Sequence, residues 1–484
     1  MKNHKTDVLV VGAGAVGTAI TRELSKLSIK VMVVDKLNDV GGDASKSNSA
    51  IIHTGFDAPP ESLESIMVVS ANPMYDELCR DLDIPFARTG AVLVAVTEQE
   101  EAELPNIMAK AHANHVYDLE VLSAKDVLEL EPAVTPDVRG GLLVPRESII
   151  DPFLFVVALA ENATANGVEF LTGWEVSNLR FNKNEYIAES QKGEIAAKFM
   201  VNAAGLFADK ISSFLGIDDF KVHPRRGQFH ILDKAAPIGT KRIILPVPTK
   251  VSKGKICTPT IHGNWLIGPT AEELDDKFAT QSTPEGLGDI IADVVKLVPG
   301  VDARYAITQY AGLRPVRTPG GYHLRTFEKL PGFLELSGIR STGLTSSLAV
   351  ARYGCDKLFK MGLSNKHKKH FVSKRQAIPC FREADEQTRD KLIKHNPLYG
   401  KVICRCETVT EAEIVEAISR KPGAMDLDGI KRRVRAGLGR CQGGFCGMRT
   451  PQILARELDI SIEEVTKKGV GSEILDGTTK SLRA

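Results

Sequence analysis

Four cysteines near the end of the chain have the spacing of a metal or iron–sulfur site. One residue separates Cys404 from Cys406, four separate Cys441 from Cys446, and 34 lie between the two pairs. Thiolates that a fold brings together in pairs bind zinc or iron–sulfur clusters. Zinc sites usually use C-x-x-C knuckles, and a C-x-C pair is less usual for them. We therefore expect a cluster, with a structural zinc ion as the alternative.

A glycine-rich turn at the other end of the chain has the chemistry of a nucleotide site. Gly12, Gly14 and Gly17 form G-x-G-x-x-G between an apolar run and a segment with helical spacing. Such glycines allow a tight turn, close approach to a pyrophosphate and close helix–strand packing. Asp35 ends the next β-rich run and can accept a hydrogen bond from a ribose hydroxyl. The pattern predicts a bound dinucleotide without separating FAD from NAD.

The whole chain has the composition of a multidomain globular protein. It has 484 residues, 43% hydrophobic and 25% charged, with a formal net charge of +1. This balance gives no electrostatic case for binding nucleic acid or an anionic membrane surface. No apolar run reaches the roughly 18–20 residues that span a bilayer. The first residues lead straight into a strand without a secretory signal, so we expect a cytoplasmic protein that meets a membrane only through a partner.

Elements of an α/β fold position these motifs. The first glycine turn lies in a βαβ unit made of a strand at 7–11, a helix at 15–27 and a strand at 29–34. A helix at 152–166, strands at 168–172 and 198–203, and a helix at 348–358 are also predicted. Strands and turns dominate residues 224–319. The basic, polar stretch 361–401 is typical of a linker with one exposed helix.

Three further segments resemble the D-amino-acid-oxidase-like family of FAD-dependent oxidoreductases. They are VNAAGLFAD at 201–209, GIRSTGLTSS at 338–347 and GGDASKSNSAIIHTG at 41–55. The resemblance covers residues 6–359 and implies FAD in an extended form beneath a sheet-based roof domain. A helix after the GLTSS turn could stabilise negative charge on a reduced flavin. The alternative, an NAD-dependent Rossmann enzyme, has no need of that turn.

The resemblance implies a division of the chain and a set of cofactor contacts. We expect a Rossmann-like FAD-binding domain (1–75, 146–220, 320–360), a β-sheet-based substrate domain (76–145, 221–319), a linker (361–399), a small helical iron–sulfur domain (400–460) and a tail (461–484). The expected FAD contacts are Gly12, Gly14, Gly17, Asp35, Lys36, Ser45, Asn48, Ser49, Val176, Ala204, Gly205, Gly343, Leu344 and Thr345.

Residues 400–458 resemble the small helical 2Fe-2S domains called BFD-like. The matching stretches are CRCETVTEAEI and DGIKRRVRAGLGRCQGGFC, and Thr410 is predicted to cap a helix that begins at Glu411. The resemblance implies that the four cysteines hold one 2Fe-2S cluster. Simple members of that family have two residues in the second cysteine pair. The four found here resemble the version fused to anaerobic-type glycerol-3-phosphate dehydrogenases.

The main candidates for the substrate site are His53, Arg314 and Arg317, and Arg225 and Arg226 in HPRRGQFH are secondary candidates on the roof domain. His53, in SAIIHTG, is expected either to take the substrate hydroxyl proton or to pack against the flavin. Arg314 and Arg317, in AGLRPVRTP, have the planar fork that suits a carboxylate or phosphate, and related enzymes carry an arginine at the position matching Arg314. Glycerol-3-phosphate dehydrogenases of this superfamily have an arginine where this chain has Asp57, which would repel a dianion. That local stretch is closer to L-2-hydroxyglutarate oxidases.

Together these features predict an FAD-dependent dehydrogenase of a small anionic hydroxy compound. The total architecture resembles the catalytic subunits of anaerobic glycerol-3-phosphate dehydrogenases, so sn-glycerol 3-phosphate is the first expectation. A 2-hydroxy acid or a secondary amino acid is the second. In each case electrons would pass from FAD to the cluster and then to a second flavoprotein or electron-transfer subunit. A third hypothesis is an electron-transfer subunit with catalysis on a partner chain.

Overall fold

The computed structural model describes residues 2–249 and 254–477. Its strands in chain order are β1 Lys2–Val11, β2 Val31–Val34, β3 Ile51–Ile52, β4 Phe86–Ala87, β5 Ala91–Ala95, β6 Glu120–Ser123, β7 Gly140–Val144, β8 Ser148–Ile150, β9 Glu169–Leu171, β10 Asn178–Asn182, β11 Glu185–Ser190, β12 Gly193–Asn202, β13 Lys221–Leu232, β14 Ile243–Pro246, β15 Ile256–Pro259, β16 Trp265–Gly268, β17 Glu272–Glu273, β18 Ala306–Thr318, β19 His323–Phe327, β20 Leu330–Ser337, β21 Val402–Cys404 and β22 Val409–Thr410.

The α-helices lie between these strands and in the C-terminal module. They are α1 Ala15–Ser25, α2 Leu63–Ala71, α3 Tyr75–Asp81, α4 Glu98–Ala113, α5 Ala124–Leu130, α6 Pro152–Ala165, α7 Ala208–Ser213, α8 Pro284–Leu297, α9 Gly343–Lys360, α10 Glu386–His395, α11 Glu411–Ser419, α12 Leu427–Val434 and α13 Thr450–Leu458.

The first large sheet places β1 between β2 and β12, parallel to both. Residues Val8–Val11 are buried because α1, α6 and α9 cover one face and apolar side chains in and just before α7, such as Leu206 and Ile211, pack in the core on the other. Parallel strands covered on both faces read as continuous apolar runs, and for this reason the sequence revealed β1. The carboxyl edge of such a sheet is where nucleotides bind.

The second large sheet is built around two long antiparallel strands, β13 and β18. Its order is β17-β13-β16-β15-β14-β5-β7-β6, with β18 paired to the other side of β13. The prediction that strands dominate residues 224–319 holds, but the region also contains α8. Thr283 caps that helix by accepting a hydrogen bond from the Gly286 amide, and Pro284 occupies its first turn, a position that proline favours.

The C-terminal module has its own apolar core beneath a short β21–β22 hairpin. Ile414, Ile430 and Leu454, on three helices, are fully buried in it. The predicted cap is present: Thr410 and Glu413 form a capping box at the start of α11, an arrangement that satisfies two otherwise unpaired backbone amides. The sequence placed this helix correctly because the capping signal is local.

Residues 361–399, which connect the two sheet-based domains to the C-terminal module, are more firmly attached than the predicted linker. Helix α10 in this segment has no buried residue, as expected. The stretch before it is anchored, because the buried Arg375 donates to the buried Glu161 on α6 and the Val372 carbonyl accepts from Asn162 and Asn166. It therefore runs as a strap along α6.

The predicted polar tail is also partly packed. Val465 is buried, and the Thr466 carbonyl accepts a hydrogen bond from the Leu427 amide. Residues 478–484 of that predicted tail lie outside the described residues. In the ranges that the structure describes, every helix is too short or too polar to cross a lipid bilayer.

Candidate functional site

The turn between β1 and α1 has the close packing that its glycines allow. A Cβ atom on Gly17 would lie 1.8 Å from the Gly12 carbonyl oxygen, and one on Gly12 would lie 2.4 Å from that of Ala203. α1 begins at Ala15, and Gly14 before it has no side chain to cap the first turn. The Ala15 amide instead donates to Ser45 Oγ at 3.0 Å. The free end of this helix suits a phosphate.

Asp35 stands at the end of β2 beside this turn, where the sequence placed it. Its carboxylate accepts from the backbone amides of Ala13 at 2.7 Å and Leu37 at 2.9 Å. Burial raises its pKa to about 6, against the opposing effect of these hydrogen bonds. Asp35 therefore braces the glycine turn as well as facing the cavity.

Two adjoining cavities of about 140 and 940 Å³ run from this turn toward β18. They share Gly14, Ser45 and Gly205 in their walls. Most of the expected FAD contacts line one or both of them, and these are Gly12, Gly14, Asp35, Lys36, Ser45, Asn48, Ser49, Val176, Ala204, Gly205, Gly343 and Leu344. A long channel of this shape suits a dinucleotide in an extended form.

Two of the expected FAD contacts lie behind the cavity wall. Gly17 packs against Gly12, so its role is in the turn. Thr345 is fully buried, and its hydroxyl accepts from the His53 amide at 3.0 Å and donates to the Ile51 carbonyl. It thus fixes the backbone of His53.

The N-terminus of α9 points into the larger cavity. Gly343 and Leu344 line it, as does Thr342 before them. No side chain caps this end of the 18-residue helix. Unpaired amides and the positive end of the helix dipole favour negative charge nearby. This is the arrangement that the GLTSS turn predicted.

His53 lines the same cavity and is held by a carboxylate that the sequence did not reveal. Its Nδ1 lies 3.0 Å from Oε2 of Glu147, a residue with no exposed side-chain surface. The other Glu147 oxygen accepts from the amide and hydroxyl of Thr54. A carboxylate at Nδ1 selects the tautomer with its proton there, so Nε2 is left as an acceptor. Glu147 lies in a turn without a motif, so only the fold brings it to His53.

Arg314 lies in the wall of the cavity on β18. It pairs in register with Arg225 on β13, and both line the cavity. Its Nη2 donates to the Thr270 carbonyl at 2.6 Å. Burial, reinforced by the charges of Arg225 and Arg340, lowers its pKa to about 10. Arg314 remains a cation at neutral pH, and a bound anion would relieve this crowding of positive charge.

Arg317 is not part of the cavity lining. Side chains alternate between the two faces of a strand, so residues three apart point opposite ways. Arg317 is buried against the Phe220 ring, and its Nη1 donates to the Pro319 carbonyl at 2.6 Å. We therefore leave it out of the proposed substrate site.

Asp57 borders the cavity with a lysine beside it. Lys110, on α4, places Nζ 3.0 Å from Asp57 Oδ1, and both residues line the cavity. Asn114, the residue that follows α4, donates to the Gly55 and Ala58 carbonyls and fixes this loop. The sequence indicated a local negative charge because Lys110 is 53 residues away in the chain.

The four cysteines of the module come together as two pairs. Cys404 and Cys446 are within hydrogen-bonding distance of each other, and so are Cys406 and Cys441. The Cys446 thiol lowers the pKa of Cys404 to about 6, and its own pKa is raised in return. Within residues 2–249 and 254–477, no His, Cys, Asp and Glu side chains form a group of three for one metal ion. Two pairs suit a two-iron cluster, in which each iron takes two cysteines.

The backbone around these thiols fits an iron–sulfur cluster. Amides of Gly437 and Glu407 donate to Cys404, and those of Phe445 and Gly443 donate to Cys441. Hydrogen bonds to the sulfurs are one means of setting a cluster's potential. A Cβ on Gly439 would lie 2.4 Å from that of Cys406, so only glycine lets the two cysteine loops approach. Cys404 ends strand β21.

A buried ion-pair cluster joins the C-terminal module to the domain that contains the nucleotide turn. Asp39, in the loop after β2, accepts from Arg432 at 2.6 Å and from Arg433 at 2.6 and 2.7 Å. All three side chains are at most 7% exposed. The two arginines hold the pKa of Asp39 below its ordinary value despite its burial. Removing one partner of such a cluster would leave a buried charge unpaired.

Two further ion pairs join the module to each part of the oxidoreductase region. Asp428 on α12 accepts from Lys46 at 2.7 Å, next to the nucleotide turn. Arg440, immediately before Cys441, donates to Asp233 at the end of β13 through two bonds of 2.8 Å. The cysteine loops therefore lie against the sheet that carries Arg225.

Comparison with known proteins matches both regions to families. A family model described as FAD dependent oxidoreductase matches residues 7–357. A second model, described as BFD-like [2Fe-2S] binding domain, matches residues 402–456. The two resemblances drawn from the sequence are confirmed, and with them the expected cofactors, FAD and a 2Fe-2S cluster.

Similar proteins include oxidoreductases of glycerol phosphate. A glycerol 3-phosphate dehydrogenase of Caloramator mitchellensis is 42% identical over 98% of this chain and 99% of its own. One subunit of the anaerobic glycerol-3-phosphate dehydrogenase of Escherichia coli K12 is 24% identical over 94% of this chain and 89% of its own. A mitochondrial L-2-hydroxyglutarate dehydrogenase of Arabidopsis thaliana is 27% identical over 74% of this chain and 84% of its own.

A solved structure agrees with the fold of the first region. The dithionite-reduced L-alpha-glycerophosphate oxidase of Mycoplasma pneumoniae, with FAD bound, superposes with a TM-score of 0.73 at 30% identity. The match covers 77% of this chain and 98% of that one.

Proposed function

The chain belongs to the FAD-dependent oxidoreductase family and carries a BFD-like 2Fe-2S domain, and from this premise we propose that it oxidises sn-glycerol 3-phosphate to dihydroxyacetone phosphate. FAD supplies a two-electron acceptor for the substrate hydrogen, and the cluster supplies a one-electron relay to a partner. The observation that carries the proposal is the cavity in which His53, held by Glu147, shares a wall with the cationic strand pair of Arg225 and Arg314.

His53 would take the proton of the substrate hydroxyl on Nε2. Glu147 at Nδ1 stabilises the imidazolium that forms and holds the ring in one orientation. The hydrogen on the same carbon leaves with its electron pair, so one proton and one hydride leave the alcohol and a ketone remains. Glu147 acts through His53 and is a positioning residue.

Arg314 would hold the phosphate, with Arg225 next to it. Arginine pairs with phosphate oxygens through parallel N–H bonds. Lys110 offsets the charge of Asp57, so the repulsion that Asp57 alone would cause is reduced. The same compensation would admit any small dianion, so the preference for glycerol 3-phosphate over a 2-hydroxy acid rests on the similarity to glycerol 3-phosphate dehydrogenase.

Anaerobic stopped-flow reduction tests the proposal. sn-Glycerol 3-phosphate should bleach the flavin band and then the cluster band, and dihydroxyacetone phosphate should accumulate in proportion. Its mirror image, sn-glycerol 1-phosphate, is the matched control because it has the same charge and groups. Faster bleaching by L-2-hydroxyglutarate would overturn the substrate assignment. No bleaching by any of these in the isolated chain would favour a protein whose catalytic site lies on another chain.

A further inference from the structure

One of the two cysteine pairs is exposed to solvent, and the other is buried. Cys404 and Cys446 are 1% and 3% exposed, whereas Cys406 and Cys441 are exposed. Electrons leaving a cluster here would leave through the exposed cysteines, Cys406 and Cys441. We use the term exit face for the surface formed by Arg405, Cys406, Cys441, Phe445, Met448 and Arg449.

The exit face presents apolar side chains to solvent. Phe445 is 50% exposed and Met448 is 76% exposed, although the core of the module lies directly beneath them. The Arg405 guanidinium lies 4.1 Å from the centre of the Phe445 ring. Aromatic, methionine and arginine side chains are the types enriched in protein interfaces.

Two arginines, Arg405 and Arg449, make the exit face positively charged. Residues 431–456 contain seven basic and no acidic residues, in a chain whose net charge is only +1. Five of these form ion pairs with carboxylates, namely Arg432, Arg433, Arg435, Arg440 and Arg456. Arg405 and Arg449 have no carboxylate partner among the residues that the structure describes, and Arg449 is exposed.

We propose that the exit face docks an acidic one-electron carrier protein. The apolar centre would exclude water beside Cys406 and Cys441, and the unpaired arginines would attract the carrier's carboxylates and align its redox centre. This inference rests on the proposed function only in that electrons leave through the cluster. It adds the place of exit and the charge of the partner.

Two forms of one carrier test the charge requirement. Native cytochrome c is basic, and succinylated cytochrome c is the same haem protein with its lysines converted to carboxylates. With the holoenzyme under anaerobic conditions and glycerol 3-phosphate as donor, the succinylated form should be reduced at least tenfold faster at low salt. The advantage should largely disappear at high salt because exposed charges are then screened. Calorimetry should show binding of the succinylated form alone.

The double variant R405E/R449E should lower both the rate and the binding of succinylated cytochrome c at least tenfold, and M448E should weaken both without altering the loop between the first two cysteines. The matched control is R80E/K125E, which changes net charge equally at exposed sites elsewhere and should leave both measurements unchanged. Visible circular dichroism checks that each variant keeps its cluster.

Equal rates and equal binding for the two carriers, or equal losses in the control, would overturn the docking proposal. Flavin and cluster reduction by glycerol 3-phosphate are recorded separately in the same samples. If these occur while the carriers are not distinguished, only the docking proposal fails. If they do not occur, the proposed function fails, and the calorimetric result still decides whether the exit face selects for charge.

Discussion

The flavin region and the C-terminal cysteine module differ in how deeply their reactive side chains are buried. In the first, His53, Glu147 and Arg314 line one cavity, and Glu147 is fully buried. In the second, two of four cysteines lie at the surface. Breaking a C–H bond needs placement and exclusion of water, whereas passing an electron needs only a short path to a partner. The protein therefore encloses the substrate step and exposes the exit.

Removing the cluster should have the largest effect, because it should stop electron transfer and leave flavin reduction intact. Cys404→Ser should abolish the cluster spectrum and the transfer of electrons to a protein carrier, because one iron loses half of its protein ligands. FAD binding and flavin reduction by substrate should persist. Iron and sulfide analysis, visible circular dichroism and stopped-flow flavin reduction measure the three properties.

Cys380→Ser is the matched control for that prediction. Cys380 is an exposed cysteine outside the two pairs, so its variant should behave like the parent protein. Retention of a full cluster in the Cys404→Ser protein would contradict the ligand assignment.

The attachment between the two regions should fail if Asp39 is changed. Asp39→Ala leaves Arg432 and Arg433 buried without their carboxylate, which typically costs about 3–5 kcal/mol. Denaturant unfolding followed by cluster and flavin signals should show this loss. Asp219→Ala removes the partner of Arg325 at a pair whose acid is more than half exposed and should cost about 1 kcal/mol or less. Equal losses would mean that Asp39 does not fasten the module.

Binding of the anionic group of the substrate is expected to depend on Arg314. Arg314→Ala should lower kcat/KM by roughly 30-fold to several-thousand-fold, corresponding to about 2–5 kcal/mol for an anion left unpaired in a partly dry site. Arg317→Gln is the control on the opposite face of β18 and should leave KM unchanged even if it lowers stability. Steady-state kinetics with an artificial acceptor decide between the two.

The base assignment predicts graded losses in flavin reduction. His53→Ala should slow the reductive step about a hundredfold or more. Glu147→Gln should slow it about tenfold or more and shift its pH profile, since the carboxylate holds the imidazole tautomer and stabilises the imidazolium. A normal rate in the His53→Ala protein would leave His53 as a residue that packs against the flavin.

The smallest predicted effect concerns pH. Lys46 lowers the pKa of Asp428 to about 2, despite the opposing effect of burial. The pair therefore stabilises the fold above the ordinary carboxyl pKa, and this contribution, about 1 kcal/mol for a partly exposed pair, is lost as pH falls toward 2. Asp428→Asn should remove it at pH 7 and matter little near pH 2. Unfolding free energies at several pH values test this.

Asp35 provides a control of opposite sign. Burial raises its pKa to about 6, so ionising it costs stability as pH rises from about 4 to 6. In the FAD-free protein, Asp35→Asn should gain stability relative to the parent over that range. The same direction for both substitutions would contradict these assignments.

Local signals explain what the sequence could predict. The Gly12–Gly17 turn, the Thr410 cap and the four cysteines each lie within one short segment or match a family pattern, so the fold and the cofactors followed from them. Glu147 and Lys110 could not be found in this way. Neither residue belongs to a motif in its own segment. The fold brings Glu147 to His53 and Lys110 to Asp57 from segments that are far apart in the sequence. Arg317 stays a prediction that the cavity lining does not support, because it lies three residues from Arg314 on β18 and so points to the opposite face.

The Asp39 cluster also limits how this molecule can change over evolution. An acid in the first region and two arginines in the module are each unfavourable without the others. Grafting this module onto a related oxidase would therefore require an acid at the position of Asp39 as well, because Arg432 and Arg433 would otherwise be buried without a carboxylate.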